Sequence, residues 1–325
     1  MMFFMISYNT IVGGRIMDKM RDKEVTFMNL FSNSDIVVDG LPSKKELPIH
    51  SRFLTNEIGT EYIGNMLKNI DIRLYIAYLK LLKDKIEFIE NYDVKKSVCV
   101  SEVSLGVISD VNSYVPYIHN GMDILAISHE LGHMLKAFTQ MNNERYLHSN
   151  TVYDETISIL FGRVCLERYI NDFGFDIYVQ QFESLNIQNA VYCLEEIKKQ
   201  LPKYLKKQDA LDRAIETFEN KKHDYKYHLF VQEVEQLRDE LYQLISYPIG
   251  ISLANVYDNF DRLQKEKYLE LVSKYLLNIR HIDFEMILEY FDIPFDANFY
   301  IENFKEYIKK FKKQNDKIFV LGGTK

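Results

Sequence analysis

The sequence is poor in features that would mark several classes of protein. It has no excess of positive charge, since its formal net charge is -7 and its pI is about 5.7. Phosphate binding needs concentrated Lys and Arg, so we do not expect nucleic acid as a partner. The basic run Lys309–Lys313 is flanked by acidic residues, and we interpret it as the solvated face of a helix.

Cysteines are few and scattered, and long apolar runs are absent. Cys99, Cys165 and Cys193 show no CxxC spacing, which argues against a disulfide framework and favours a reducing compartment. No apolar run approaches the ~20 residues that a helix needs to cross a bilayer. The apolar segment Met1–Ile6 has neither the basic start nor the cleavage site of a signal peptide. We therefore expect a cytoplasmic protein with no membrane partner.

The first sixteen residues raise a separate question about the native start. The residues from Gly13 to Met17 can be encoded by GGA GGA AGA ATA ATG, which reads as a bacterial ribosome-binding site followed by a start codon. Our hypothesis is that Met17 is the native first residue. An intact mass of the native protein that included residues 1–16 would refute it.

The central motif is the stretch from Ile127 to Met134, which contains His129, Glu130 and His133 in the order H-E-x-x-H. Residues four apart lie on the same face of a helix, so the two imidazoles can bind one metal ion. Glu130 lies about 100° around the helix from His129, which suits the general base of a zinc hydrolase. The alternative is a solvated helix face that carries two histidines by chance.

The sequence around the motif predicts a helix that begins near Asp123. Its apolar residues form one stripe on the side opposite the two histidines; they are Ile124, Ile127, Leu131, Leu135 and Phe138. Gly132 lowers helix propensity by about 1 kcal/mol but allows another backbone to approach closely. Such a helix suits the wall of a cleft, although it also suits a solvent face.

Glu155 is the candidate third ligand. The residues from Thr151 to Asp154 resemble a capping box, and Glu155 falls in the first turn of the helix that follows. It comes 22 residues after His133, which leaves room for the chain to turn back. Two histidines and one glutamate with an open fourth position form a common catalytic zinc set. A first-turn acid also interacts with the helix dipole, which is the alternative reading.

Other third ligands fit less well. A metzincin would need Gly and His where this chain has Lys136 and Thr139. Asp154 would face about 100° away from Glu155. Glu144 follows His133 too soon for the helix to turn back, and His148 is interpreted as a loop residue.

The remaining sequence predicts a mainly α-helical fold with a small β-sheet beside the metal helix. Residues 56–92 have a helical pattern, and residues 97–103 predict a strand, with up to two more strands between 106 and 118. After Asp172 we predict helices over 187–200, 206–220, 225–246, 250–263, 265–279 and 299–313. Pro116 is expected at an edge or a strand end, and Pro202, Pro248 and Pro294 at helix ends or bends. We divide the chain into a short N-terminal helical region, 1–95, and a catalytic region, 96–325.

The catalytic region resembles the M3 family of zinc metallopeptidases, which includes the thimet oligopeptidases and oligoendopeptidase F. The segment from Pro116 to His133 resembles the family's strand and metal helix, and Tyr153–Ser158 is similar to the segment around the third zinc ligand. Ser246–Ala254, which reads S-Y-P-I-G-I-S-L-A, resembles the tyrosine-containing helix of oligoendopeptidase F. The resemblance covers roughly residues 95–265.

This resemblance implies a gluzincin-type fold with one Zn²⁺ held by His129, His133 and Glu155. It implies that Glu130 is the general base and that Tyr247 donates a hydrogen bond to the tetrahedral intermediate. The chain is about half as long as the family's members, and its N-terminal part is much reduced. Gln236 stands where the family has a histidine upstream of the tyrosine, and the sequence leaves open whether His223 or His228 substitutes.

We therefore expect a zinc metalloendopeptidase that acts on short peptides, with a strand from 97–118 pairing with the substrate backbone. One alternative is a regulatory protease that resembles the ImmA/IrrE proteins and cleaves a single partner protein. The other is a peptide-binding protein that keeps zinc for stability. The sequence does not determine the cleavage preference, the physiological substrate or the oligomeric state.

Overall fold

The computed structural model describes residues 25–36, 55–89, 98–104, 107–141, 152–217, 225–277 and 282–322. In this part of the chain, helical residues 25–32 form α1. The other helices are α2 Asn56–Ile70, α3 Ile72–Asp84, α4 Gly121–Met141, α5 Asp154–Phe173, α6 Ile177–Thr217, α7 Tyr225–Asn259, α8 Arg262–Leu276, α9 Phe284–Tyr290 and α10 Ala297–Gly322. The strands are β1 Ile86–Ile89, β2 Val98–Ser104 and β3 Val107–Pro116.

The strands form one small mixed sheet in the order β1-β3-β2. β3 is central: β1 pairs with it in parallel, from Ile86↔Ser113 to Ile89↔Pro116. β2 pairs with it in antiparallel orientation, with an irregularity between Glu102 and Val103. β3 runs directly into α4, and α4 packs against β3 and β2. The prediction of a mainly helical fold with a small sheet beside the metal helix is confirmed.

α4 begins at Gly121 because a reciprocal polar cap satisfies its first backbone groups. The side chain of Asn120 accepts hydrogen bonds from the backbone N–H groups of Met122 and Asp123, at 2.8 and 3.2 Å. The carboxylate of Asp123 accepts bonds from the N–H groups of His119 and Asn120. These bonds pair donors that a helix start otherwise leaves unsatisfied, and they place the start two residues earlier than predicted.

α5 lies between α4 and α7, and glycines allow both close contacts. A Cβ atom on Gly132 of α4 would lie 2.4 Å from Ser158 Cα and 2.8 Å from Ser158 N, so the backbones of α4 and α5 touch there. On α7, a Cβ atom on Gly250 would lie 3.3 Å from Thr156 Cα of α5. The predicted role of Gly132, to admit another backbone, is confirmed.

Several helix boundaries differ from the sequence prediction. Residues 56–92 contain two helices separated at Asp71, whose side chain accepts a bond from the N–H of Arg73, and then strand β1 instead of a helical end. Predicted strands between 106 and 118 are the single strand β3, with Pro116 as its last residue.

The long C-terminal helices were divided too finely by the sequence prediction. α6 continues through Pro202 and α7 continues through Pro248, so neither proline ends a helix. Pro294 lies in the link between α9 and α10, as predicted, whereas α9 itself was missed. Residues 1–16 lie outside the described residues. No described helix is both long and apolar enough to cross a bilayer.

We predict that Gly132→Ala destabilises the protein, although alanine normally favours a helix over glycine by about 1 kcal/mol. The added methyl group meets backbone atoms that cannot move without separating α4 from α5. We expect a loss of about 1–3 kcal/mol, typical of overpacking, measured by urea unfolding. Asn171→Ala on an exposed position of α5 is the control. A Gly132→Ala protein as stable as the wild type would contradict the close contact.

Candidate metal centre

The two histidines of the motif lie on a more exposed side of α4 than its apolar stripe. The predicted apolar stripe is buried at Ile124, Ile127, Leu131 and Leu135. His129 and His133 are partly exposed, with 12% and 27% of their side-chain surface accessible. Their ring centroids are 5.3 Å apart. Both imidazoles are therefore reachable from solvent while the helix beneath them is fixed in the core.

Glu155 reaches the same place from the first turn of α5. That helix begins at Asp154, and its N-cap is Tyr153, whose side chain makes no capping bond. The predicted capping box is therefore not the cap of this helix, and Thr151 lies outside the described residues. The position of α5 is set instead by its backbone contact with α4. Glu155 stands three residues before Ser158, on the turn that approaches Gly132.

The three predicted ligands converge. Oε2 of Glu155 lies 3.6 Å from Nε2 of His129 and 3.2 Å from Nε2 of His133. Two atoms that bind one Zn²⁺ at 2.0–2.1 Å with tetrahedral angles are about 3.4 Å apart. Oε2 of Glu155 is buried, and the two imidazole nitrogens are the groups beside it. A buried carboxylate oxygen needs a hydrogen-bond donor or a cation, and these three side chains form a group that could hold a metal ion.

The protonation states also suit a metal. Burial lowers the pKa of His129 to about 4, against the opposing effect of Glu155. His129 is therefore neutral at pH 7 and has a free lone pair to offer. Burial alone would raise the pKa of Glu155, but the nearby imidazoles outweigh it and lower that pKa to about 2. Glu155 thus presents a carboxylate charge that a metal ion or a protonated His133 would balance.

Glu130 differs from Glu155 in its surroundings. Burial raises its pKa to about 7, although the charge of His133 acts in the opposite direction. For His133, burial lowers the pKa, but the charges of Glu155 and Glu130 outweigh it, so the net shift is upward. Glu130 therefore lies beside the His₂Glu group and can both accept and release a proton near neutral pH.

Tyr247 of α7 is brought to the same group. Its ring centroid is 6.1 Å from that of His129. Its hydroxyl donates to Oδ1 of Asn186 at 3.1 Å and accepts from Nδ2 of Asn189 at 3.3 Å. Burial, followed by the charge of Glu155, raises the pKa of this phenol. Tyr247 is therefore a neutral hydrogen-bonding group next to the candidate metal ligands.

Other residues weighed from the sequence are not part of the described group. Glu144, His148 and His223 lie outside the described residues, and the side chain of Asp154 is not described either. His228 lies 19 residues before Tyr247 on the same continuous helix, a separation of about 28 Å at 1.5 Å per residue. The side chain of His228 is not described either.

Three further residues near the group were not singled out by the sequence. Asn186 and Asn189 on α6 contact Tyr247, and the thiol of Cys193 has its pKa raised to about 12 by burial and by the charge of Glu155. They recur at i, i+3 and i+7 on one face of α6. Polar residues at helical spacing among buried apolar neighbours are the only signal that could have found them.

A buried charged network ties together the helices that carry these residues. Arg163 of α5 pairs with Glu183 of α6 and, at 2.6 Å, with Asp258 of α7. Tyr307 of α10 donates its hydroxyl hydrogen to Glu183. Glu183 is 3% exposed, so its charge depends on these partners. The network fixes α5, α6 and α7 relative to one another on the side of α5 away from α4.

Fold and site together define a mainly helical protein with a two-histidine, one-glutamate group that could bind a metal ion. No protein-family model matches the chain, and no curated protein matches it. Among solved structures, it is similar to a crystal structure of a candidate peptidase from Chlamydophila abortus, with 14% identity and a TM-score of 0.43. The match covers 92% of this chain and 53% of that one, so the chain spans about half of that protein. The likeness is too distant to assign residues or activity.

We predict that metal binding depends on all three side chains. Glu155→Ala should lower the affinity for added Zn²⁺ at least about tenfold. Mutating a residue that only supports a ligand already lowers metal affinity by about 10–100-fold, so losing a ligand should cost no less. His133→Ala should do the same, measured by competition with a chelator. Glu167→Ala on the same helix, an acid that pairs with Lys265, should bind as the wild type does. Full affinity in Glu155→Ala would remove it from the ligand set.

We also predict that Arg163→Leu destabilises the protein strongly. It leaves the carboxylates of Glu183 and Asp258 without their cation, and removing one partner of a buried ion pair typically costs about 3–5 kcal/mol. Thermal or urea unfolding measures the loss. The control is Arg262→Leu, which removes an exposed ion pair to Glu266 and should leave the unfolding midpoint unchanged. Equal midpoints for the two variants would mean that the network adds no stability.

Proposed function

We propose that this protein is a zinc-dependent peptidase of the gluzincin type that hydrolyses peptide bonds in short peptides. The observation that carries the proposal is the approach of Glu155 Oε2 to Nε2 of His129 and of His133, at 3.6 and 3.2 Å, with Glu130 next to the first ligand. A purely structural zinc site usually fills four protein positions. Here three ligands are available among the described residues, which leaves a position for water or substrate.

The donor set favours zinc over other divalent ions. Two imidazoles and one carboxylate suit Zn²⁺, whereas Ca²⁺ and Mg²⁺ prefer oxygen ligands alone. His129 is neutral and Glu155 is ionised at pH 7, as binding needs. His133, whose pKa the charge of Glu155 raises against the effect of burial, would give up its proton when it binds the ion. We infer one ion per chain, held by these three side chains.

The chemistry divides between the ion and the protein. A bound zinc ion would lower the pKa of water toward 7 and polarise the substrate carbonyl. Glu130 would take a proton from the attacking water and deliver it to the leaving amine. Its raised pKa supports this role, because a base that must also act as an acid works best near the operating pH. Tyr247 would donate a hydrogen bond to the developing oxyanion of the substrate.

The small sheet supplies a surface for an extended peptide. Within the described strands, β1 and β2 are the two edges of the sheet, and β2 is the one that packs against α4. An edge strand presents unpaired backbone groups, and an added strand satisfies them without reading side chains closely. We therefore propose that substrate pairs along β2, the edge strand that contacts the metal helix.

The M3-like assignment is part of this proposal. It is supported by the order of the three motifs and by the position of Tyr247 beside His129. The proposed activity thus rests on the ligand geometry, and the family on the sequence motifs.

We predict that Glu130→Gln abolishes peptide hydrolysis while zinc remains bound. Glutamine keeps the size of the side chain but cannot accept the proton, and general base catalysis contributes about 10²–10⁴-fold. The measurement is mass spectrometry of a mixed peptide library, with metal content determined in parallel. Glu167→Gln on α5 is the matched control and should keep full activity.

The outcomes separate the alternatives. A zinc-loaded wild type that leaves the library intact but cleaves one partner protein would favour an ImmA/IrrE-like regulator. A wild type that binds zinc and peptides but cleaves neither the peptides nor a partner protein would favour the non-enzymatic alternative. Full activity in Glu130→Gln would show that Glu130 is not the base.

A further inference from the structure

The hydroxyl of Tyr247 lies between two side-chain amides of α6. It donates its hydrogen to Oδ1 of Asn186 at 3.1 Å and accepts a hydrogen from Nδ2 of Asn189 at 3.3 Å. Asn186 is buried, with 6% of its surface exposed, and Asn189 is partly buried. A phenol has one hydrogen to donate and a limited set of acceptor directions. Both amides together therefore fix where this hydroxyl points.

The two amides have different effects on the phenol. The N–H of Asn189 withdraws charge from the phenol oxygen, and this bond opposes the rise in the pKa of Tyr247 that burial causes. Hydrogen bonds in a chain polarise one another, so a phenol that accepts one bond donates a stronger one. Asn186 supplies the acceptor for the hydroxyl hydrogen as long as no other acceptor is present.

The position of these amides is set by the rest of the fold. Asn186 follows Glu183 by three residues on α6, and Glu183 is locked to Arg163 of α5 and Tyr307 of α10. Tyr247 precedes Gly250 by three residues on α7, at the point where α7 touches α5. The amide pair and the phenol are therefore presented by helices that are both fixed against the helix of Glu155.

We propose that Asn186 and Asn189 are positioning residues for Tyr247. Asn189 holds and polarises the phenol, and Asn186 keeps its hydrogen directed beside the metal-binding group until a substrate carbonyl oxygen takes over as acceptor. The inference rests on the proposed peptidase function, because only a substrate oxygen gives the hydroxyl a catalytic partner. A buried tyrosine that is merely satisfied would need the same bonds but would show no coupling to turnover.

The test is a double-mutant cycle with Asn189→Leu and Tyr247→Phe. Leucine matches asparagine in shape but cannot donate. Tyr247→Phe should lower kcat about 10²-fold, as for one lost oxyanion donor. Asn189→Leu should lower kcat about tenfold with KM within twofold of the wild type, and it should have no further effect when Tyr247 is already phenylalanine. Gln188→Leu, an exposed neighbour on α6, is the control and should leave kcat unchanged.

A second measurement does not depend on activity. In protein labelled with ¹³C at Cζ of tyrosine, the resonance lost in Tyr247→Phe identifies Tyr247, and Asn189→Leu should shift it while Gln188→Leu should not. Zinc content and thermal melts are compared for every variant. An unshifted resonance, an unchanged kcat, or an equal loss in the Tyr247→Phe background would overturn the positioning role. A different outcome is that the zinc-loaded wild type is completely inactive while Asn189→Leu still shifts the Tyr247 resonance. That result would refute the peptidase proposal, and with it the catalytic role of Asn186 and Asn189.

Discussion

The contact between the backbones of α4 and α5 is the constraint on which the candidate centre depends. Two histidines four apart on α4 cannot complete a three-ligand group alone, because the third ligand must come from another element. Where Gly132 meets Ser158, any side chain would hold the helices apart. Because the helices touch, a carboxylate one turn before Ser158 reaches both imidazoles. Gly132, which has no side chain to bind metal or react, thus sets the spacing of the ligands.

The buried charges around Arg163 act on the opposite side of α5. Burying one arginine and two carboxylates is costly unless each is paired, and here every charge has a partner on a different helix. Apolar packing would allow these helices to slide, since it is not directional. Charged hydrogen bonds fix register as well as distance. The network therefore specifies the relative positions of α5, α6 and α7, and with them Glu155, Asn189 and Tyr247.

The sequence predicted much of the candidate centre because its signals are local. The H-E-x-x-H spacing, the apolar stripe and Gly132 all lie within one helix, where periodicity fixes the faces. Glu155 came from chain distance and the first-turn position, and its approach to the histidines is seen in the structure. The roles of Glu130 and Tyr247 remain predictions, because geometry alone does not show catalysis.

What the sequence did not predict depends on contacts between distant segments. β1 lies in a stretch of helical pattern, and only pairing with β3 makes it a strand. Proline normally interrupts a helix, but α6 continues through Pro202 and α7 continues through Pro248. Asn186 and Asn189 resemble ordinary polar residues until Tyr247, about sixty residues later, is placed against them.

Pro248 also changes the hydrogen-bond ladder of α7. Proline has no N–H, so the carbonyl of Leu244 loses the helical bond that would normally tie it to residue 248. Beyond this point α7 is anchored, because the hydroxyl of Ser252 bonds to the carbonyl of Tyr300 on α10 and Asp258 bonds to Arg163 on α5. Tyr247 therefore lies immediately before a gap that Pro248 leaves in the hydrogen-bond ladder of this continuous helix.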